Sequence, residues 1–209
     1  MSDYAELYNA ILTGNAKKAE EITKIAIAAE VNPNDLVQKY MIPAMDEVGK
    51  RFECNEYFVP ELLIAARAMK TSLEIIAPLL AAQGTEPVGR VVIGTVQGDL
   101  HDIGKNLVAS MLEGGGFQVV DLGVDVAPER FVEAAKEKDG TIVALSALLT
   151  TTMTMMKTII EALDKAGIRD KTKVMIGGAP ITQQYADEIG ADGYSDNASA
   201  AVALARTLV

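Results

Sequence analysis

Hydrophobic and polar positions follow two different patterns along the chain. Over the first 82 residues the apolar positions recur at helical spacing, as in "NAKKAEEITKIAIAAEV", which Asn15 can cap. A further helix is predicted to begin after Asn32, and Pro43 inside its pattern should kink or split it. The last long helix has Pro60 in its first turn. Together these patterns predict a small helical bundle.

From residue 90 onward, short apolar runs alternate with helical patterns. The runs are "RVVIGTV", "FQVVDLG", "TIVALSAL", "KVMIGGA" and "ADGYS", and the helical patterns lie near residues 104–114, 128–138, 152–167, 182–189 and 197–208. Such alternation is typical of a parallel sheet covered by helices on both faces. Five of these units predict a flavodoxin-like, Rossmann-like doubly wound sheet of five strands in the order 2-1-3-4-5.

A short polar segment, "QGTEPVG" at residues 83–89, separates the two patterns. Its two glycines and its proline are typical of a linker between domains. We therefore predict a helical cap domain over residues 1–82 and a Rossmann-like domain over residues 90–209. The expected fold class is α plus α/β.

Composition and charge restrict the class of protein. The net charge of −10 argues against nucleic acid and anionic membranes as partners. The single cysteine, Cys54, cannot form an internal disulfide, which fits a cytoplasmic protein. The first residues lack the basic and apolar regions of a signal peptide, and no apolar stretch is long enough to span a bilayer. We expect a soluble cytoplasmic protein.

Unusual residues follow the predicted strands at the edge where doubly wound sheets bind ligands. Asp99 and His101 follow the first strand, Ser146, Thr150 and Thr152 follow the third, Gly177 and Gly178 end the fourth, and Tyr194 and Ser195 end the fifth. Because the carboxyl ends of parallel strands lie at one edge, these residues should lie at that edge although they are scattered in sequence.

The chemistry of this edge depends on His101, the only histidine, which Asp99 and Asp102 flank. A zinc site made by protein alone needs three or four ligands, so one histidine and one cysteine would need carboxylates to complete it. A Cys–His nucleophilic pair is disfavoured, because Cys54 lies in the helical region without an oxyanion-type loop. The segment after the first strand, "QGDLHDIGKN", is not the hydroxyl-rich phosphate loop of flavodoxins. The segment at the third strand, "ALSALLTTT", lacks the phosphate-accepting aspartate of response regulators. A metal held in a macrocycle needs only one protein ligand, which leaves haem and cobamides open. Asp99 could accept the other ring N–H of the histidine.

Three motifs resemble those of cobamide-binding domains. "GDLHDIGKN" contains Asp-x-His-x-x-Gly as Asp99, His101 and Gly104, which is the signature of domains that bind the cofactor base-off with histidine on cobalt. "ALSALLTTT" resembles their second motif, with Ser146 and Thr150, and "MIGGAP" resembles the third.

The resemblance implies a role for each motif residue. Ser146 and Thr150 would contact the dimethylbenzimidazole end of the nucleotide tail, Gly177 and Gly178 would leave room for that tail, Tyr194 and Ser195 would close over its far end, and Gly104 would let the backbone lie close beneath the corrin. Thr152 would close a relay from His101 through Asp99 to a hydroxyl. Here the sequence departs from methionine synthase, which has Pro-Ser where this chain has Thr151-Thr152.

The helical region is similar to the cap that covers the upper face of cobalt in methionine synthase and its relatives. The similar segment is "EVGKRFECNEYFVPELLIAARAM". It implies that Phe52, Val59 and Leu62 shield the methyl group, while simple core packing is the alternative for each of them.

The chain thus resembles the stand-alone corrinoid proteins of methylamine, methanol and O-demethylase methyltransferase systems. This resemblance implies a methyl carrier without independent enzymatic activity. It would take a methyl group from a donor-specific methyltransferase, with a methylamine or a methoxylated aromatic as donor. A second methyltransferase would pass the group to a thiol or folate, and a reductive activation protein would serve as a further partner. A cobamide-binding sensor or storage protein and a haem-binding sensor remain the alternatives.

Overall fold

The computed structural model describes residues 4–137 and 141–209, which form two compact units. One unit contains the chain up to Pro87 together with Ser110–Gly116, and the other contains Val88–Ala109 and Phe117–Val209. The chain first passes between the units within the segment predicted as a linker. None of the described helices has both the length and the apolar character that a membrane span requires.

The helices of the first unit begin where their capping residues predict. They are α1 (Ala5–Leu12), α2 (Ala16–Ala28), α3 (Pro33–Leu36), α4 (Ile42–Glu53) and α5 (Val59–Ala82). The side chain of Asn15 accepts a hydrogen bond from Lys18 N, and that of Asn32 accepts one from Asn34 N. Glu61 caps α5 by accepting from the backbone N–H of Phe58. These contacts satisfy N–H groups that the first turn leaves without helical partners.

The predicted split at Pro43 is confirmed. A π-helical turn, Val37–Met41, separates α3 from α4, in which Pro43 occupies the first turn. Proline lacks an N–H, and its ring clashes with the carbonyl four residues earlier. That carbonyl belongs to Lys39, inside the π-helical turn. The wider turn therefore accommodates the proline without ending the helical path.

The second unit contains a parallel sheet in the order β2-β1-β3-β4-β5, which confirms the predicted fold class and strand order. Its strands are β1 (Arg90–Thr95), β2 (Gln118–Asp121), β3 (Thr141–Ser146), β4 (Lys173–Gly177) and β5 (Gly193–Ser195). Its helices are α6 (Ile103–Gly114), α7 (Pro128–Lys136), α8 (Thr154–Lys165), α9 (Gln183–Ile189) and α10 (Ala198–Thr207). The helix predicted near 128–138 ends at Lys136, and residue 138 lies outside the described residues.

The central strands position the candidate site. Every residue of β1 is buried, and β3 is buried up to Ser146, as expected where helices cover both faces of a parallel sheet. The register pairs Thr95 with Ser146, Ser146 with Gly177, and Gly177 with Ser195. The carboxyl ends of four strands therefore form one row, at the edge that the sequence predicts.

Candidate functional site

His101 lies in the loop between β1 and α6, and this loop fixes its imidazole. The ring Nδ1 lies 2.7 Å from Oδ1 of Asp99, whose Oδ1 also accepts from the backbone N–H of His101 at 3.1 Å. The buried hydroxyl of Thr95 donates to the His101 carbonyl at 2.9 Å. The side chain is 51% exposed, and no described residue bonds its Nε2. The imidazole therefore presents one ring nitrogen to a ligand.

Asp99 is fully buried, and donors from two loops surround its carboxylate. Its Oδ2 accepts from Thr152 Oγ1 at 2.6 Å and from the backbone N–H groups of Leu148 and Leu149 at 2.8 and 3.4 Å. Burial alone would raise the pKa of Asp99, but the hydrogen bonds from Thr152, Leu148 and His101 outweigh it and hold that pKa well below its usual range.

The ionised state of Asp99 determines the tautomer of the imidazole. A carboxylate can only accept hydrogen bonds, so the proton between Asp99 and His101 belongs to Nδ1. The lone pair then lies on Nε2, the atom that no described residue bonds. The arrangement orients Nε2 as a nitrogen ligand, in the manner of metal-binding histidines that donate to a carboxylate.

Thr152, at which the sequence departs from the motif of methionine synthase, hydrogen-bonds directly to Asp99. Its hydroxyl is buried and also lies 3.0 Å from the Leu149 carbonyl. One hydroxyl proton serves one acceptor at a time, and the ionised carboxylate is the stronger acceptor. Threonine therefore places its oxygen at the carboxylate, which the sequence alone left uncertain.

Exposed apolar residues occupy the loop that carries His101 and the loop that donates to Asp99, and the sequence pattern did not predict their exposure. Leu100 is 71% exposed, Ile103 is 81% exposed, and Leu148 and Leu149 are each 43% exposed. The available signal was the presence of large apolar residues in the two loops that carry the motifs. Exposed apolar surface beside a polar group is typical of a ligand site.

The residues of this surface fit a metal held in a flat macrocycle. A Cβ added at Gly104 would meet nothing within 4 Å, so the space beside the loop is open. No group of three or more potential metal ligands exists among the described residues, so the protein offers a single nitrogen rather than a complete ligand set. One imidazole, open space and apolar side chains suit an axial position and the face of a corrin ring.

The remaining residues of the sheet edge lie where predicted, but the two glycines have an additional explanation. Gly178 has φ +133, and a Cβ there would lie 1.9 Å from the Ala147 carbonyl oxygen. A Cβ at Gly177 would lie 3.1 Å from the Ser195 carbonyl oxygen. The backbone of the protein itself therefore requires Gly178, whatever space a ligand needs. Thr150 is exposed in the loop after β3.

Tyr194 and Ser195 lie in β5, and both are partly buried. Tyr194 packs against the hydrophobic core of the second unit. Ser195 ends the row of paired strand ends, next to Gly177. The structure thus brings Ser146, Gly177 and Ser195 into one line, and their contact with a ligand stays a prediction.

The three residues predicted to shield a methyl group differ in their exposure. Phe52, near the end of α4, is partly buried, and Val59, at the start of α5, is 40% exposed. Leu62 has no exposed surface, so it could touch a ligand only after its surroundings rearranged. Its burial favours the alternative of core packing, while Phe52 and Val59 remain accessible.

Known proteins resemble both units. Two family profiles, each described as a B12 binding domain, match residues 4–77 and 89–203. The chain is 46% identical over 207 residues to trimethylamine corrinoid protein 1 of Methanosarcina acetivorans, covering 98% of this chain and 96% of that protein.

Solved structures resemble the chain as well. A cobalamin-binding protein from Desulfitobacterium hafniense DCB-2 is 32% identical with a TM-score of 0.81, covering all of both chains. A chain of the methanol:cobalamin methyltransferase complex MtaBC from Methanosarcina barkeri is 31% identical with a TM-score of 0.85, covering 96% of this chain and 77% of that one.

Proposed function

Because the chain belongs to the B12-binding family of corrinoid proteins, we propose that it is a methyl carrier that binds a cobamide through His101 and works with partner methyltransferases. The observation that carries the proposal is the oriented imidazole. Its Nδ1 is hydrogen-bonded to Asp99, the side chain is half exposed, and no described residue bonds its Nε2. Family membership favours the cobamide over haem, the other macrocycle that the sequence left open.

The bound cobamide would supply a cobalt centre that can accept and release a methyl group. The residues of the chain hold and tune it. His101 offers Nε2 as the axial ligand in the base-off, histidine-on state, and Asp99 retains the Nδ1 proton and orients the ring. Thr152 and the Leu148 N–H keep Asp99 ionised. Leu100 and Ile103 are the exposed apolar residues that would exclude water from the ring face.

The same pair of residues can also store a proton. When the imidazole is not used as a ligand, Nε2 can take a proton from water, and the adjacent Asp99 carboxylate balances the imidazolium charge. Ligation by His101 and proton uptake at Nε2 exclude each other, because both use the same lone pair. Axial ligation is thereby linked to proton uptake from solvent.

The row of strand ends provides the proposed path for the nucleotide tail of the cofactor. Ser146 and Thr150 would contact its base, Gly177 and Gly178 would flank it, and Tyr194 and Ser195 would close over its end. The register that aligns Ser146, Gly177 and Ser195 supports this path. Gly104, with open space beside it, would lie beneath the corrin.

Residues 1–82 are proposed as a cap that protects the methyl group, residues 83–89 as a hinge, and residues 90–209 as the cobamide-binding domain. Phe52 and Val59 are the candidates for shielding because they retain accessible surface. A cap must move aside when the substrate of a partner methyltransferase approaches the same face, as lids do in enzymes.

The proposed donor is a methylamine, with a methoxylated aromatic as the second candidate. The identity of 46% to a trimethylamine corrinoid protein favours the methylamine. The proposed partners are a donor-specific methyltransferase, an acceptor methyltransferase that delivers the group to a thiol or folate, and a reductive activation protein. The resemblance to a chain of a methyltransferase complex supports partners of this class.

Axial ligation can be tested by isotope labelling, because the chain contains one histidine. Protein produced in cells supplied with nitrogen-15 histidine is loaded with cob(II)alamin. Its electron paramagnetic resonance spectrum should show the splitting caused by one nitrogen-15 ligand. A cofactor that kept its own base on cobalt would show nitrogen-14 splitting instead. His101→Ala should lose the nitrogen splitting, and free imidazole should restore it. Nitrogen-14 splitting in the labelled wild-type protein would contradict ligation by His101.

Methyl transfer separates a carrier from a sensor or storage protein. The wild-type protein, reduced and loaded with cobalamin, is mixed with trimethylamine and the donor-specific methyltransferase. A carrier should acquire the methyl group and lose it when the acceptor methyltransferase and its thiol are added. A protein whose methylation state stays unchanged in both steps, with active partner enzymes, would be a sensor or store.

A further inference from the structure

The loop between β2 and α7 contains a residue with an unusual backbone. Asp125 has φ +53, and the other non-glycine residues with positive φ, within residues 4–137 and 141–209, are Glu30 and Asn55. Glu30 and Asn55 directly follow the C-cap residues of α2 and α4, where a left-handed residue commonly ends a helix. Asp125 follows no helix, so contacts from elsewhere in the fold must hold its conformation.

Those contacts come from the loop that carries His101. The backbone N–H of Asp125 donates to the Asp99 carbonyl at 3.0 Å, and its Oδ1 accepts from the backbone N–H of Gly98 at 2.7 Å. Asp125 therefore hydrogen-bonds to Gly98 and Asp99, two successive residues that precede His101 by three and two positions. Its left-handed backbone turns both its N–H and its carboxylate toward that loop.

Neighbouring contacts fix the rest of the β2–α7 loop. Val126 N donates to the Thr95 carbonyl, and Thr95 N donates to the Gly123 carbonyl, each at 3.0 Å. Asp121, at the end of β2, accepts from Gly123 N and pairs with the buried ammonium of Lys105. Asp125 thus projects from an anchored loop, and it is itself solvent-exposed rather than part of the core.

We propose that Asp125 is a positioning residue for the cobalt ligand, a role that rests on the proposed function. The carboxylate of Asp99 has anchors in the loop after β3. In its main chain the N–H donates to the Val96 carbonyl at 3.1 Å, and Asp125 holds the carbonyl and the preceding Gly98 N–H. Without the carboxylate of Asp125, the Gly98 N–H loses its acceptor and the peptide can rotate. Asp99 then holds Nδ1 of His101 less firmly, and Nε2 is less often aligned for ligation.

Three variants separate the hydrogen bond from charge and backbone effects. Asp125→Gly keeps the left-handed backbone but removes the acceptor, and Asp125→Asn keeps both the backbone preference and a side-chain oxygen while removing the charge. Glu30→Gly is the matched control, because it makes the same change of charge and residue type at another exposed position of positive φ.

The first measurement uses the apoprotein. Amide hydrogen exchange at Gly98 should become roughly tenfold faster in Asp125→Gly, while exchange in β1 and the unfolding midpoint stay near the wild-type values. The second measurement uses methylcobalamin. Its affinity, followed by the histidine-on absorption spectrum, should fall about fivefold to tenfold in Asp125→Gly, as expected for the loss of one hydrogen bond. Asp125→Asn and Glu30→Gly should match the wild type in both measurements.

Two outcomes would overturn the role of Asp125. Asp125→Gly could match Glu30→Gly in exchange and affinity, or Asp125→Asn could be as impaired as Asp125→Gly, which would indicate an effect of charge. Failure of the proposed function is distinguishable, because the wild-type protein would then show no histidine-on spectrum, whereas the exchange measurement needs no cofactor.

Discussion

At the scale of single residues, the site depends on a buried carboxylate that is kept ionised by neutral donors. Asp99 accepts from Thr152, from main-chain N–H groups after β3 and from His101. Apart from the imidazole, these donors are a hydroxyl and backbone N–H groups, which carry no charge. A histidine held in this way stays available as a ligand because the proton remains on Nδ1.

Thr152 offers a direct test of this balance. Thr152→Val keeps the shape of the side chain but removes a donor from a buried carboxylate, so we expect it to lower the free energy of unfolding by about 1–3 kcal/mol. Thr152→Ser keeps the hydroxyl and should cost about 1 kcal/mol or less. Urea unfolding of the apoprotein measures both. The exposed neighbour Thr151→Val is the control, expected within about 0.5 kcal/mol of the wild type. Equal effects at positions 151 and 152 would contradict the role of the hydroxyl.

At the scale of elements, the glycine after β4 and the glycine at the start of α6 occupy their positions for different structural reasons. Gly178 follows β4 at φ +133, against the Ala147 carbonyl, so the backbone of the second unit requires it. Gly104 lies in the first turn of α6 with open space where a Cβ would be. The protein tolerates a side chain there, and only a ligand would oppose it.

Alanine substitutions should therefore act in opposite directions. Gly178→Ala should lower the free energy of unfolding by about 2–4 kcal/mol, through the contact with Ala147 and the unfavourable φ. Gly104→Ala should stabilise the apoprotein by up to about 1 kcal/mol, because alanine favours helix, yet weaken cobalamin binding. Thermal unfolding and a binding titration measure these effects. Normal cobalamin affinity in Gly104→Ala would show that no corrin lies close to that position.

At the scale of the whole molecule, acid should weaken the fold partly through Asp99. The pKa of Asp99 lies lower in the folded protein than in the unfolded chain, where an aspartate titrates at about 3.9. The unfolded chain therefore binds the proton more tightly. The contribution of Asp99 to stability is complete above the unfolded value and is lost as pH falls toward the folded one.

This linkage predicts the pH dependence of one variant. Asp99→Asn should be less stable than the wild type by about 1.5–3 kcal/mol at neutral pH, as expected for hydrogen bonds to a charged group. The difference should shrink as pH falls below about 4, because the unfolded wild-type chain then binds a proton at Asp99 that the folded protein does not yet bind. Urea unfolding at several pH values measures it. A difference that stays constant from neutral to acidic pH would mean that ionisation of Asp99 is not what stabilises the fold.

The sequence alone determined the elements and predicted which loop carries the candidate ligand. Capping at Asn15 and Asn32, the interruption at Pro43 and the alternation of strands with helices depend on residues close together in the chain. The same is true of the motif that unites Asp99 and His101, two residues apart. Local spacing was therefore enough to predict the strand order and the edge at which the candidate site lies.

Only the tertiary structure decided how that loop is held. The donors to Oδ2 of Asp99 come from residues 49 to 53 positions away, and they reach it because β1 and β3 are neighbours whose ends lie in register. The spacing of residues along the chain does not set side-chain directions or contacts between distant loops. It therefore could not show that the Thr152 hydroxyl reaches Asp99, that Gly178 lies against the Ala147 carbonyl, or that Leu62 is buried. Asp125 could not be predicted from the sequence for the same reason. Its left-handed backbone is held by hydrogen bonds to Gly98 and Asp99 in another loop, and no pattern of neighbouring residues predicts that contact.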